Sequence, residues 1–117
     1  MLILVVEDDP RAAQWLATLT QHLGHKAVTA LNGEAALDLI RRARPDVIFV
    51  DLGLPGIQGH DLIAQLRSLP GLESVKIYVV SASGDADSIS ASRAAGALEH
   101  FVKPMRLADL QRVLADT

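Results

Sequence analysis

The chain has 117 residues, half of them apolar, which suits one domain with a buried core and argues against disorder. Its formal net charge is −3 with no basic stripe, which argues against nucleic-acid binding by this domain. It has no cysteine, hence no disulfide framework and no thiolate metal site.

Residues 2–6 form an aliphatic run that reads as a first strand. It is far too short to span a membrane, the acidic Glu7-Asp8-Asp9 follows at once, and it lacks the basic start and cleavage site of a signal peptide. The expected address is therefore the cytoplasm. Asp9-Pro10 supplies an N-cap and a proline at the first helical position. Ala12, Leu16, Leu19 and Leu23 then recur on one helical face, and Gly24 stops the helix. A second strand is expected at 26–30. Asn32 caps a second helix carrying Ala36, Ile40 and Ala43, which closes before Pro45. The third strand is 47–50, and a third helix marked by Leu62, Ile63, Leu66 and Leu69 ends at Pro70-Gly71. The fourth strand is 77–80. The fourth helix, about 85–95, is rich in Ala and Ser with Ile89 as its large anchor, so it is expected to be the loosest. A fifth strand at 98–102 leads to a helix marked by Leu107, Leu110, Val113 and Leu114.

Strands alternating with helices predict an α/β fold, a doubly wound (βα)5 domain on a five-stranded parallel sheet. The runs 2–6, 47–50 and 77–80 are nearly all aliphatic, as for strands covered on both faces. The runs 26–30 and 98–102 carry polar residues and suit the edges. The strand order 2-1-3-4-5 puts them there, with its switch point between strands one and three. Residues 1–117 read as a single domain with no output domain.

In a parallel sheet the strand carboxyl ends share one edge, where ligands bind. After strand one come Glu7, Asp8 and Asp9, after strand three Asp51, after strand four Ser81, and after strand five Lys103. The expected order brings the three aspartates to the switch point, flanked by Ser81 and Lys103. Three carboxylates repel one another, and a hard cation with oxygen ligands such as Mg²⁺ relieves this. One carboxylate is then left to act as a nucleophile, and aspartates are covalent phosphoryl acceptors. Mg²⁺ and the Lys103 ammonium would supply positive charge around the transferred group, and a Ser81 hydroxyl could donate to one of its oxygens.

These segments carry a resemblance. The run 5–9 (Val-Val-Glu-Asp-Asp), the run 50–56 (Val-Asp-Leu-Gly-Leu-Pro-Gly), the pair Ser81-Ala82 and the end Val102-Lys103-Pro104 resemble the receiver domain of two-component response regulators, the flavodoxin-like, CheY-like family. The likeness covers essentially the whole chain. It implies that Asp51 is the phospho-acceptor, that Asp8 and Asp9 bind Mg²⁺ and that the Gly53 carbonyl adds a ligand. It also implies that Ser81 is the switch hydroxyl, that Lys103 contacts the phosphate, and that the Lys103–Pro104 bond is cis. The segments 23–25, 53–56 and 100–104 are most similar to receivers of hybrid sensor kinases, in a phosphorelay.

The resemblance implies a signalling domain rather than an enzyme, limited to self-phosphorylation from a donor and autodephosphorylation. Its partners would be a histidine kinase or histidine phosphotransfer protein and a downstream protein. The latter would read the face formed by residues 86–95, 98–102 and 107–113, which could also support a homodimer. Two positions depart from the family. His100 stands where many receivers carry Tyr or Phe as a mobile switch ring. Gly53 offers no side chain to guide an attacking water. His100 reads as a partly buried edge-strand residue rather than a metal ligand, and His22, His25 and His60 read as surface residues. Trp15 is offset from the apolar face of the first helix, either half exposed for docking or packed at the rim. The alternatives are a pseudo-receiver that binds protein independently of phosphorylation, and an aspartyl phosphatase. The second lacks its usual aspartate at position 53 and a cap domain.

Overall fold

A computed structural model describes residues 1–115. Strand β1 (Leu2–Val6) is followed by α1 (Pro10–His22), β2 (Lys26–Ala30), α2 (Gly33–Arg42) and β3 (Val47–Val50). Then come α3 (Gly59–Ser68), β4 (Lys76–Ser81), α4 (Ala86–Ala95), β5 (Glu99–Val102) and α5 (Leu107–Ala115). The five strands are parallel and lie in the order β2-β1-β3-β4-β5. This is the expected doubly wound sheet with its two more polar strands at the edges.

The central strands are buried on both faces, so alternate residues feed two separate cores. Leu4, Val6, Ile48, Val50, Ile77 and Val79 pack with Leu62, Ile63 and Leu66 of α3. Ile3, Val5, Val47, Phe49, Tyr78 and Val80 pack with Leu16 of α1 and Leu110 and Val113 of α5. Phe49, Tyr78 and Phe101 form a ladder on that second side, with ring centroids 5.7 and 6.1 Å apart. Full burial of such aliphatic and aromatic side chains contributes about 1.5–3 kcal/mol each.

Two helix faces differ from expectation. In α1 the buried stripe is Ala13, Leu16, Ala17 and Thr20, while Ala12, Leu19 and Leu23 are half-buried. Two alanines in the stripe bring the helix backbone close to the sheet, and the larger leucines are displaced to its border. In α4 the buried residue is Ser92, not Ile89, which is half-buried. The weak apolar anchoring of α4 is as expected, but its anchor is polar.

The caps expected at Asp9 and Asn32 are present, and Asp85 adds a third. Asp9 accepts from Arg11 N–H at 3.0 Å, Asn32 from Ala35 N–H at 2.8 Å, and Asp85 from Ser88 N–H at 2.8 Å. Gly96 ends α4 with φ of 122°, a conformation that suits glycine. Its carbonyl accepts from Arg67 Nε at 3.1 Å and Nη2 at 3.0 Å, and Arg67 Nη1 donates to the carbonyls of Val75 and Leu72. One guanidinium thus ties the end of α3 to the end of α4 and to the approach to β4. Arg67→Ala is expected to lower stability by about 2–4 kcal/mol, because three carbonyls lose charge-assisted bonds. Arg67→Lys should recover less than half of this, since an ammonium cannot reproduce the fork. Urea unfolding of the three proteins checks this, and an Arg67→Ala midpoint equal to wild type would contradict it.

Candidate functional site

The register between strands builds the site. Val5 pairs with Phe49 and Val6 with Val50, so the residues following β1 and β3 emerge side by side. Asp51 N–H donates to the Val6 carbonyl at 2.9 Å, and Glu7 N–H to the Ala30 carbonyl at 2.9 Å, which carries the ladder one step beyond the strands. Gly59 keeps the loop after Asp51 folded back: a Cβ there would lie 2.6 Å from the Asp51 carbonyl oxygen and from Leu52 Cα.

Glu7, Asp8 and Asp51 offer carboxylate oxygens that all lie within 4.8 Å of one another. Glu7 and Asp51 are buried, and Asp8 is exposed. Lys103 Nζ donates to Asp51 Oδ2 at 3.1 Å and forms an ion pair with Glu7 Oε1. Asp9 N–H donates to Glu7 Oε2 at 3.2 Å, and Gly53 N–H to Asp51 Oδ1 at 3.2 Å. Ser81 is the last residue of β4 and is buried, and its Oγ accepts from Ser83 N–H at 3.2 Å. The Lys103–Pro104 bond is cis.

Asp8, Asp51, Gly53, Ser81 and Lys103 thus stand at the sheet edge where the sequence places them. The difference lies in the third acidic residue. Asp9, expected as a ligand, spends its carboxylate on the N-terminus of α1, and Glu7 takes the inward place. The signal for this was in the alternation of the strands. Ile3 and Val5 face the core shared with α1 and α5, and so do Val47 and Phe49. Glu7 and Asp51 continue those two series on the same side. His100 makes its bonds to the Ser83 carbonyl and Ser92. His60, read as a surface residue, is half-buried and bonded to Ser92 at 3.0 Å. A cleft of about 500 Å³ opens beside the carboxylates, with Trp15, Leu16, Phe49 and Met105 among its apolar walls. Trp15 is 45% exposed at its border.

One ammonium faces two buried carboxylates with a third nearby, so the charges do not balance. Burial pushes the Glu7 carboxyl up from 4.5 to about 7; the bond from Lys103 opposes this and the carboxylate of Asp51 adds to it. Asp51 goes the other way. Burial acts to raise it but is outweighed by its contact with the Glu7 carboxyl, by Gly53 N–H and by Lys103, which hold it below the usual aspartate value. Burial acts to lower Lys103 but is outweighed by Glu7 and Asp51, which raise it. The site without a cation therefore retains a proton on its acids near neutrality. A cluster of hard oxygen ligands with excess negative charge fits a divalent cation of the Mg²⁺ type.

The family model of the response regulator receiver domain matches residues 3–115, and the chain belongs to this family. It is 29% identical over 93% of its length to sporulation initiation phosphotransferase F of Bacillus subtilis (strain 168), covering 86% of that protein. It is 33% identical over 99% of its length to the sensory/regulatory protein RpfC of Xanthomonas campestris pv. campestris (strain 8004), covering 16% of that protein. It spans less than two thirds of most of the curated relatives it matches. The receiver domain of sensor histidine kinase PA1611 from Pseudomonas aeruginosa PAO1, with a magnesium ion coordinated in its active site cleft, superposes with a TM-score of 0.89. That pair is 27% identical, covering 98% of this chain and 94% of the other. The expected family and fold are borne out. Among the described residues no helix is long and apolar enough to cross a membrane.

The raised Glu7 carboxyl fixes a pH dependence. Between 4.5 and about 7 the folded state binds more protons at Glu7 than the unfolded chain does, so stability falls as pH rises through that window. Asp51, whose value is lowered, acts in the opposite sense and only below the usual aspartate range. In the presence of a chelator, urea unfolding should show a loss on the order of 2 kcal/mol from the acidic to the neutral end of the window. Glu7→Gln should flatten the profile; an unchanged slope in that variant would assign it to another group.

Proposed function

We propose that this domain takes up a phosphoryl group on Asp51 from a phosphohistidine of a sensor kinase or phosphotransfer protein, and so acts as a switch in a phosphorelay. The observation that carries this reading is the bond from Lys103 Nζ to Asp51 Oδ2 within the cluster of Glu7, Asp8 and Asp51. A phospho-acceptor carboxylate needs a cation against it and access from a cleft, and Asp51 has Lys103 beside it and lines the cleft.

An Asp51 carboxylate oxygen attacks phosphorus in line, a P–O bond forms, and the P–N bond to the donor histidine breaks, leaving its electron pair on the imidazole. The depressed Asp51 carboxyl is ionised for this at neutral pH. Lys103, already within bonding distance, follows the charge from the carboxylate to a phosphoryl oxygen. Mg²⁺ held by Glu7, Asp8 and Asp51, with the Gly53 carbonyl as a further ligand, would supply the remaining positive charge. This part of the reading is supported by the magnesium named in the Pseudomonas aeruginosa receiver. Ser81 Oγ turns from Ser83 N–H to donate to the new oxygen, which frees the segment between β4 and α4. Hydrolysis of the acyl phosphate resets the domain, so its chemistry is confined to itself.

In this reading the donor protein docks over the cleft, and the exposed Trp15 and the apolar walls beside the acidic site support this. In this reading the downstream partner, or a second copy, docks on α4, β5 and α5, where Val102 of the edge strand, Leu98 just before it and Leu107 at the start of α5 are exposed.

Intact-mass spectrometry after incubation with a small phosphoryl donor tests this. One Mg²⁺-dependent phosphoryl adduct is expected on wild type and none on Asp51→Asn. Lys103→Ala should slow its formation at least about tenfold, as loss of a charge-stabilising group does. No adduct, together with no beryllofluoride complex, would instead make the domain a phosphorylation-independent binding module.

A further inference from the structure

Within α4 only Ser92 is fully buried, and the contacts that hold the helix there are polar. Ser92 Oγ lies 3.0 Å from His60 Nε2 on α3, 2.9 Å from His100 Nδ1 on β5, and 2.9 Å from the Ser88 carbonyl of its own helix. The other ring nitrogen of His100 lies 2.6 Å from the Ser83 carbonyl. Ser83 N–H in turn donates to Ser81 Oγ. A single hydroxyl therefore joins two histidines from different elements, and the group connects to the segment that leaves β4.

Proton counting orders this group. A carbonyl only accepts, so His100 Nε2 must carry a hydrogen. In neutral His100 the Nδ1 atom is then bare, the Ser92 hydroxyl must donate to it, and His60 Nε2–H must donate into the Ser92 oxygen. If His100 takes up a proton, Nδ1–H donates to Ser92 instead, and the hydroxyl turns to the Ser88 carbonyl, which lies at the same distance. Both arrangements leave every group paired. Protonating His60 at its far nitrogen changes no bond in the group. With both rings charged, however, two cations share one hydroxyl oxygen and repel.

The charged groups around them do little to offset this. On the segment before α4, Asp85 accepts from Ser83 Oγ and from Ser88, but it is exposed to water. Asp61 on α3 and Asp87 and Arg93 on α4 are also exposed. Glu99 is held by Arg112 of α5, and the residue paired with His100 on β4 is the uncharged Val79.

We propose that His60, Ser92 and His100 form a proton-sensitive latch on α4: rotation of the Ser92 hydroxyl accommodates one proton, and a second places like charges across it and frees the helix. The face offered to partners then answers to pH as well as to the acidic site. The latch goes beyond the phospho-acceptor reading and works in the unmodified protein, so failure of one leaves the other standing.

The test is amide hydrogen exchange of residues 86–95 in the unphosphorylated protein, corrected for intrinsic exchange, across the range where histidine titrates, roughly pH 5 to 8. The wild type should lose α4 protection roughly tenfold at the acidic end, relative to α2 as internal control. His60→Gln keeps an N–H donor but cannot ionise, and it should abolish the acid loss. Ser92→Ala should leave α4 poorly protected throughout, with no acid dependence. No acid loss in wild type, or an equal loss in His60→Gln, would overturn the latch. Should Ser92→Ala fail to fold, the wild type and His60→Gln comparison decides alone.

Discussion

A single ammonium group, that of Lys103, lies between two buried carboxylates that the sheet itself holds side by side. Taking such charges out of water costs several kcal/mol per ion unless partners are fixed in place. The parallel pairing of β1 with β3 provides that fixity, because Glu7 and Asp51 extend strands whose register is already set by buried aliphatic residues. Lys103 arrives from β5, two strands away from β3, and its N–H is anchored on the Ser81 carbonyl at 2.8 Å. The site therefore draws together residues from the ends of β1, β3 and β5. The imbalance of charge leaves the cluster unsatisfied by its own protein groups, which favours a divalent cation beside it.

The three consecutive acidic residues after β1 divide the work according to direction. Glu7 points into the core side and meets Lys103. Asp8 completes the oxygen cluster from the solvent side. Asp9 stabilises the first turn of α1, where Pro10 leaves no N–H to satisfy. The same short segment thus ends a strand, builds a site and starts a helix.

Rigidity is distributed unevenly around this site. The central strands are buried and closely paired, and α3 presses Leu62, Ile63 and Leu66 against them. Helix α4 has no comparable apolar face. Its C-terminal end is tied by Arg67 and its middle by Ser92, while its N-terminal cap is an exposed Asp85. Hydrogen bonds of this kind contribute about 1 kcal/mol each, and they can exchange partners without a large barrier. A helix attached in this way is more easily displaced than one anchored by an apolar face.

The alternation of aliphatic strands with amphipathic helices was enough to settle the fold class, the strand order and the edge strands, because strand burial is written in local composition. The caps at Asp9 and Asn32 were legible for the same reason, since each acts within three residues. Asp51, Asp8, Ser81 and Lys103 were legible from their places at strand ends. The choice between Glu7 and Asp9 was not, although the parity of Ile3, Val5 and Glu7 contained it, because Asp9 could serve both as cap and as ligand. The bridge from His60 through Ser92 to His100 joins residues 32 and 8 positions apart, and no local pattern signals it. Only the packing of α4 against α3 and β5 decided it, since hydrogen bonds between side chains depend on distances that the chain sets only when its layers close.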